Sequence, residues 1–88
     1  MNNMEYEIPS IGKKNAPQNL CGSRIYAERS KHFLTAGDLA ARLQLGGSRL
    51  DADSILRIEN GTRAVRDYEL RAIARALNVR VTWLLWME

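Results

Sequence analysis

Between Leu34 and Gly61 the chain sets two short helical periods between strong stop signals, and this leaves few folds open to it. Thr35 is a good N-cap residue, and Asp38 stands three positions on, in a capping-box spacing. Leu39, Ala40 and Leu43 then fall on one helical face. Gly46-Gly47 stops that helix. Asp51 can cap a second helix over 52–60, where Ile55 and Ile58 sit one turn apart. Leu50 and Ile55 take the positions of a hydrophobic staple, which sets the angle at which the chain enters the helix. Asn60-Gly61 ends it, because both residue types tolerate a left-handed backbone. Two short helices held at an angle by a tight core suit insertion of the second into a DNA major groove.

The rest of the chain supplies helices to surround this pair. Residues 1–18 lack periodicity, contain Pro9 and Pro17, and read as a flexible N-terminal arm carrying Lys13 and Lys14. Residues 19–88 read as one domain. A first helix is expected over Leu20–Lys31, with Asn19 as its cap and Cys21, Ile25 and Glu28/Arg29 on one face. A fourth, over Asp67–Leu77, places Leu70, Ile73, Ala74 and Leu77 in one apolar stripe, with Asp67 and Glu69 complementing the dipole at its start. Asn78 can end it in a left-handed conformation. A fifth, over Val81–Met87, carries Trp83, Leu84, Leu85 and Trp86. There is no strand alternation and no internal repeat, so the expected class is all-α with five helices.

Composition narrows function further. The 88 residues carry a formal net charge of +3, which favours an anionic partner weakly. The single cysteine, Cys21, allows no internal disulfide and no paired metal motif, and its place on the first helix suits a small buried hydrophobe. The lone histidine, His32, has no triad or ligand partners in the sequence. Asp51 and Asp53 are better read as a cap and a first-turn acid than as metal ligands. No enzyme, cofactor or metal site is therefore expected. The start of the chain is neither apolar nor basic enough for a signal peptide, and the longest apolar run, Trp83–Met87, is too short to span a bilayer. The expected setting is the cytoplasm.

Leu34-Thr35, Leu39-Ala40, Ile55, Ile58-Glu59-Asn60-Gly61, Arg63, Leu70, Ile73-Ala74, Ala76-Leu77, Val79 and Trp83-Leu84-Leu85 together resemble the lambda-repressor-like, or XRE-type, helix-turn-helix domains. The resemblance spans about Leu20 to Leu85. It implies a five-helix DNA-binding domain whose recognition helix is 52–60. It also implies a transcriptional regulator, usually a repressor, common in bacteria and their phages, that binds paired half-sites in double-stranded DNA as a homodimer. It further implies an ion pair between Arg29 on the first helix and Glu59 at the end of the recognition helix. The chain departs from the family pattern at four places. Ala36 replaces the usual glutamine after Thr35, the span Leu43–Asp51 is lengthened, Phe33 stands where glycine often ends helix one, and Arg80 stands where Ser or Thr often caps helix five.

On a helix capped by Asp51, the residues facing away from Ile55 and Ile58 are Ala52, Asp53, Leu56 and Arg57, with Ser54 at the boundary. Arg57 suits guanine O6 and N7, and Leu56 suits a thymine methyl. Asp53 either accepts from cytosine or serves the helix start. Thr35, Arg49, Arg63 and Arg66 are the expected phosphate contacts. Trp86, late in a short helix, is read either as a dimer contact or as packing back on its own domain. The competing function is a protein-interaction module on the same fold, such as an antitoxin or adaptor. The missing glutamine and the presence of Asp53 both point that way.

Overall fold

The apolar spacing builds helices alone. The computed structural model describes residues 16–88, with five helices and no strand among them. They are α1 (Gly22–Lys31), α2 (Ala36–Leu45), α3 (Ala52–Glu59), α4 (Asp67–Leu77) and α5 (Val81–Leu84). None is long and apolar enough to cross a membrane. Residues 1–15 of the expected arm, with Lys13 and Lys14, lie outside the described residues. Gln18, also assigned to the arm, is attached to the domain: its N–H donates to the Gly61 carbonyl at 2.7 Å.

One core serves all five helices. α2 packs on α3 and α4, α1 packs on the same two, and α5 packs on α4. Ile25, Leu39, Leu43, Ile55, Ile58, Ile73, Leu77 and Leu84 are fully buried at its centre. Leu50 joins them from outside any helix, so the lengthened turn is anchored by the apolar residue just before the α3 cap. The predicted caps form. Thr35 Oγ1 accepts from the Asp38 N–H at 3.0 Å while Asp38 Oδ2 accepts from the Thr35 N–H at 2.9 Å. Asp51 Oδ1 accepts from the Ser54 N–H at 2.8 Å.

All five helices end in the same way. In each, the first or second residue beyond the end takes a left-handed backbone: Phe33 (φ 57°), Gly47 (φ 93°), Gly61 (φ 80°), Asn78 (φ 57°) and Trp86 (φ 63°). The next amide then closes back on a carbonyl one turn earlier, as in Leu34 to Arg29, Ser48 to Leu43, Thr62 to Arg57, Val79 to Ala74 and Met87 to Thr82. These are the bonds of the Schellman motif, which satisfy carbonyls a helix end would otherwise leave open. Two details differ from the sequence expectation. Asn60 stays right-handed (φ −78°), so Gly61 alone reverses α3. The fifth helix stops at Leu84 rather than Met87, because Trp86 takes the reversing position.

α1 starts at Gly22, two residues later than expected, and Asn19 explains the start. Its Oδ1 accepts from the Gly22 N–H at 2.7 Å, while its Nδ2 donates to the carbonyls of Ile58 (3.0 Å) and Arg63 (2.8 Å). One side chain thus caps α1 and holds the end of α3. Gly22 is required there, since a Cβ would collide with the Ile58 carbonyl oxygen. The paired charges lie on the same junction. Arg29 Nε and Nη2 donate to Glu59 Oε2 (2.7 Å) and Oε1 (2.8 Å), and Arg29 Nη1 donates to the Leu34 carbonyl at 2.8 Å. The two side chains are only 11% and 4% exposed.

Trp86 turns onto its own domain. Its indole N–H donates to the Leu20 carbonyl at 2.8 Å, and the Arg24 guanidinium lies 3.9 Å from the Trp86 ring centroid and 4.6 Å from that of Trp83. Inward packing is thus what the fold provides for this residue, with the Trp86 ring partly covered.

Two outcomes follow for stability. Glu59→Gln or Arg29→Met alone should lose about 3–5 kcal/mol in urea unfolding, because each strands a buried partner, and the double variant should lose less than the sum. Phe33 is 94% exposed, so its ring gains nothing from burial while its backbone is left-handed. Phe33→Gly should therefore raise stability by up to about 1 kcal/mol, read from the shift of the urea midpoint.

Candidate nucleic-acid interface

The outward face of α3 is set by its burial pattern. Ile55 and Ile58 face the core, while Asp53, Leu56 and Arg57 are exposed. Ser54 is partly covered and its N–H is held in the Asp51 cap. Ala52 was expected on the outward face but packs against the core, because it stands three residues before Ile55 and so on the flank of the same face. Arg57 Nε lies 3.1 Å from Asp53 Oδ2, one helical turn away. Both side chains are more than half exposed, and such pairs are worth about 1 kcal/mol or less. Asp53 is therefore the resting partner of Arg57, exchanged at little cost.

The start of α2 is less open than expected. Thr35 is exposed, but its Oγ1 and N–H are both held by Asp38, whose carboxylate already sits at the helix N-terminus. The two Thr35 hydrogen bonds, the backbone one first, hold the Asp38 carboxyl below its usual range. Ala36, the departure from glutamine, is buried and contributes packing only.

The arginines beyond α3 divide into two roles. Arg63 was expected to meet phosphate, but its Nη1 and Nη2 donate to Glu69 Oε1 and Oε2 at 3.0 and 3.1 Å. With side chains 23% and 10% exposed, this is a structural pair. Glu69, expected only to complement the α4 dipole, is buried there and also accepts from the Arg66 N–H at 3.0 Å. Arg63 first, and then the Arg66 amide, outweigh burial and pull the Glu69 carboxyl below the usual carboxylate range. Arg66 itself reaches outward, 64% exposed, with Nη1 3.5 Å from Glu69 Oε2.

The lengthened turn does not point away from the molecule. Residues 46–50 face α4 across a groove of about 550 Å³ that also takes in Ser54 of α3. Arg49, Arg63, Arg66, Arg71 and Arg75 line it against one carboxylate, Glu69. Arg49 and Arg66 were expected near the interface, but Arg71 and Arg75 were not. The signal existed: Tyr68, Arg71 and Arg75 follow at i, i+3 and i+7 beside the apolar stripe of α4, and so share one face.

Elsewhere the reactive residue types are occupied. Cys21 is 2% exposed, and burial pushes its thiol up to about 11, which keeps it neutral. His32 Nε2 lies 3.0 Å from Glu28 Oε2. Among the described residues no group of three or more His, Cys, Asp or Glu side chains is placed to hold a metal ion.

In comparison with known proteins, no family model matches the chain and no curated sequence matches it.

The Glu69 pair carries a pH dependence. Its folded value lies below the unfolded one, about 4.3, so its contribution is complete above that pH and is lost as pH falls through the folded value. Asp38 and Asp51 shift in the same direction, so the difference between variants is the measurement. Urea unfolding from neutral pH to below 4 should show a smaller acid loss for Glu69→Gln than for the natural chain.

Proposed function

We propose that the protein is a sequence-specific DNA-binding transcriptional regulator of the lambda-repressor-like helix-turn-helix type, acting as a repressor. α3 enters the major groove, Arg57 reads a guanine and Leu56 meets a thymine methyl. Two copies bind paired half-sites as a homodimer. The observation that carries this reading is α3 itself. It is capped by Asp51, its apolar side is buried, its Asp53–Leu56–Arg57 face is open, and an arginine-lined groove lies beside its first turn. The groove supplies the sequence-independent attraction, and Arg66 and Arg49 are exposed contributors to it.

A second reading, a protein-interaction module of antitoxin or adaptor type, is favoured by Phe33 and Leu45. Phe33 lies in the turn before α2 and Leu45 ends that helix, and they are 94% and 91% exposed. A partner that covers them would bind with little salt dependence.

Selection from a random duplex pool, followed by titration of the selected site, tests the first reading. The natural chain should yield a two-fold site bound more tightly than random duplex. Arg57→Ala should relax one base pair in each half-site at about 1–3 kcal/mol and leave binding to random duplex nearly unchanged. If the natural chain enriches no site, or Arg57→Ala keeps the full preference, α3 does not read the groove in this way.

A further inference from the structure

The groove between turn 46–50 and α4 extends beyond anything that base reading by α3 requires. We infer that it is a second backbone channel, which takes the phosphodiester strand of duplex DNA flanking the half-site through Arg49, Arg71 and Arg75. This rests on the DNA-binding reading and names where the flanking strand runs.

Charge is the first argument. Five arginines line the groove against Glu69, and Glu69 is already gripped by both terminal nitrogens of Arg63. Arg49, Arg71 and Arg75 are exposed, and none has a carboxylate within 4.0 Å among the described residues. Like charges left unpaired across a groove repel one another, so the arrangement weakens the free fold and gains only from an anion. The residue type agrees: the groove cations are all arginine, whose planar fork suits phosphate oxygens.

Spacing is the second argument. Arg71 and Arg75 are one turn apart on α4, separated by a rise of about 6 Å, so they address successive points along a strand rather than one small ion. Arg49 faces them from the turn, and Ser48 and Tyr68 add hydroxyl donors. The third argument concerns the alternative occupant. An acidic peptide would need apolar anchors in a desolvated pocket. Here Leu50 is buried in the core, and Tyr68 is the one exposed large hydrophobic that lines the groove, a single anchor that carries its own hydroxyl among arginines. The fourth is continuity. Ser54 on the first turn of α3 and Arg66 beyond its end both line the groove, so a strand leaving the α3 face passes directly into it.

The lengthened turn acquires a purpose on this account. Gly46-Gly47 reverses the chain and Leu50 pins it, which leaves Arg49 held opposite α4.

The test measures binding of random-sequence duplex by fluorescence anisotropy over a range of salt. The probes are the natural chain, Arg71→Gln/Arg75→Gln and Arg49→Gln, with thermal melts to show that each variant folds as the natural chain does. The log–log salt slope should fall by about two for the double variant and about one for Arg49→Gln, since each lost phosphate contact removes about 0.9. Melting temperatures should not fall. If the natural chain binds with a salt slope that these variants leave unchanged, the channel is overturned while the DNA-binding reading stands. If the natural chain shows no salt-dependent duplex binding, both fall together. Poly-glutamate is the remaining probe. If the double variant loses poly-glutamate binding but keeps the full duplex slope, the groove belongs to an acidic protein and the channel is overturned.

Discussion

The Arg29–Glu59 pair is the contact on which the placement of α3 depends. α3 has eight residues, too few to be helical by itself, so its direction is whatever its neighbours impose. At its far end Glu59 accepts both hydrogen bonds of a guanidinium that is simultaneously tied to the Leu34 carbonyl. The end of α1, the turn into α2 and the end of α3 therefore meet at one charge. Desolvating two ions offsets much of their attraction, so the pair adds less to net stability than to choosing one arrangement of the three segments. Asn19 repeats the same logic with a neutral side chain from the start of α1. The near end of α3 is fixed differently, by the Asp51 cap and by Leu50 and Ile55 in the core.

What could be read in the sequence was local and periodic. The Thr35–Asp38 box, the Asp51 cap, the α4 stripe and the left-handed Asn78 each involve residues within one or two turns, where type and spacing fix the geometry. What escaped was the pairing of groups across such units. Glu69 looked like a first-turn acid because its partner, Arg63, reaches it only through the bend between α3 and α4. Ala52 was misplaced because it stands three residues before Ile55, on the flank of the buried face rather than opposite it. The reversal at Trp86 was invisible because a bulky residue in a left-handed backbone defies residue preference. The direction of the lengthened turn could not be read at all, since it follows from Leu50 finding a place in a core that other segments build.

The candidate interface divides its charge unevenly. On α3 the only long cation is matched by Asp53, so the face proposed to read bases is close to neutral when free. A short distance away, the groove keeps three arginines without acidic partners among the described residues. Under the proposed function, attraction and discrimination would then reside in different places. The groove would act on any polyanion at longer range, whereas Arg57 would leave Asp53 only for a partner with matching geometry. That exchange subtracts only the small value of the exposed ion pair from the matching sequence, while on other sequences the guanidinium stays on its own helix.

The Arg24 stack gives the chain an unusual optical property. Both tryptophans flank this one guanidinium, and Arg24 also donates to the carbonyls of Trp83 and Glu88. Indole emission therefore senses how the last residues seat against α1. Far-UV circular dichroism averages over all five helices instead. Whether the two signals melt together reports whether four-residue α5 is part of the cooperative unit or a separately detachable strap.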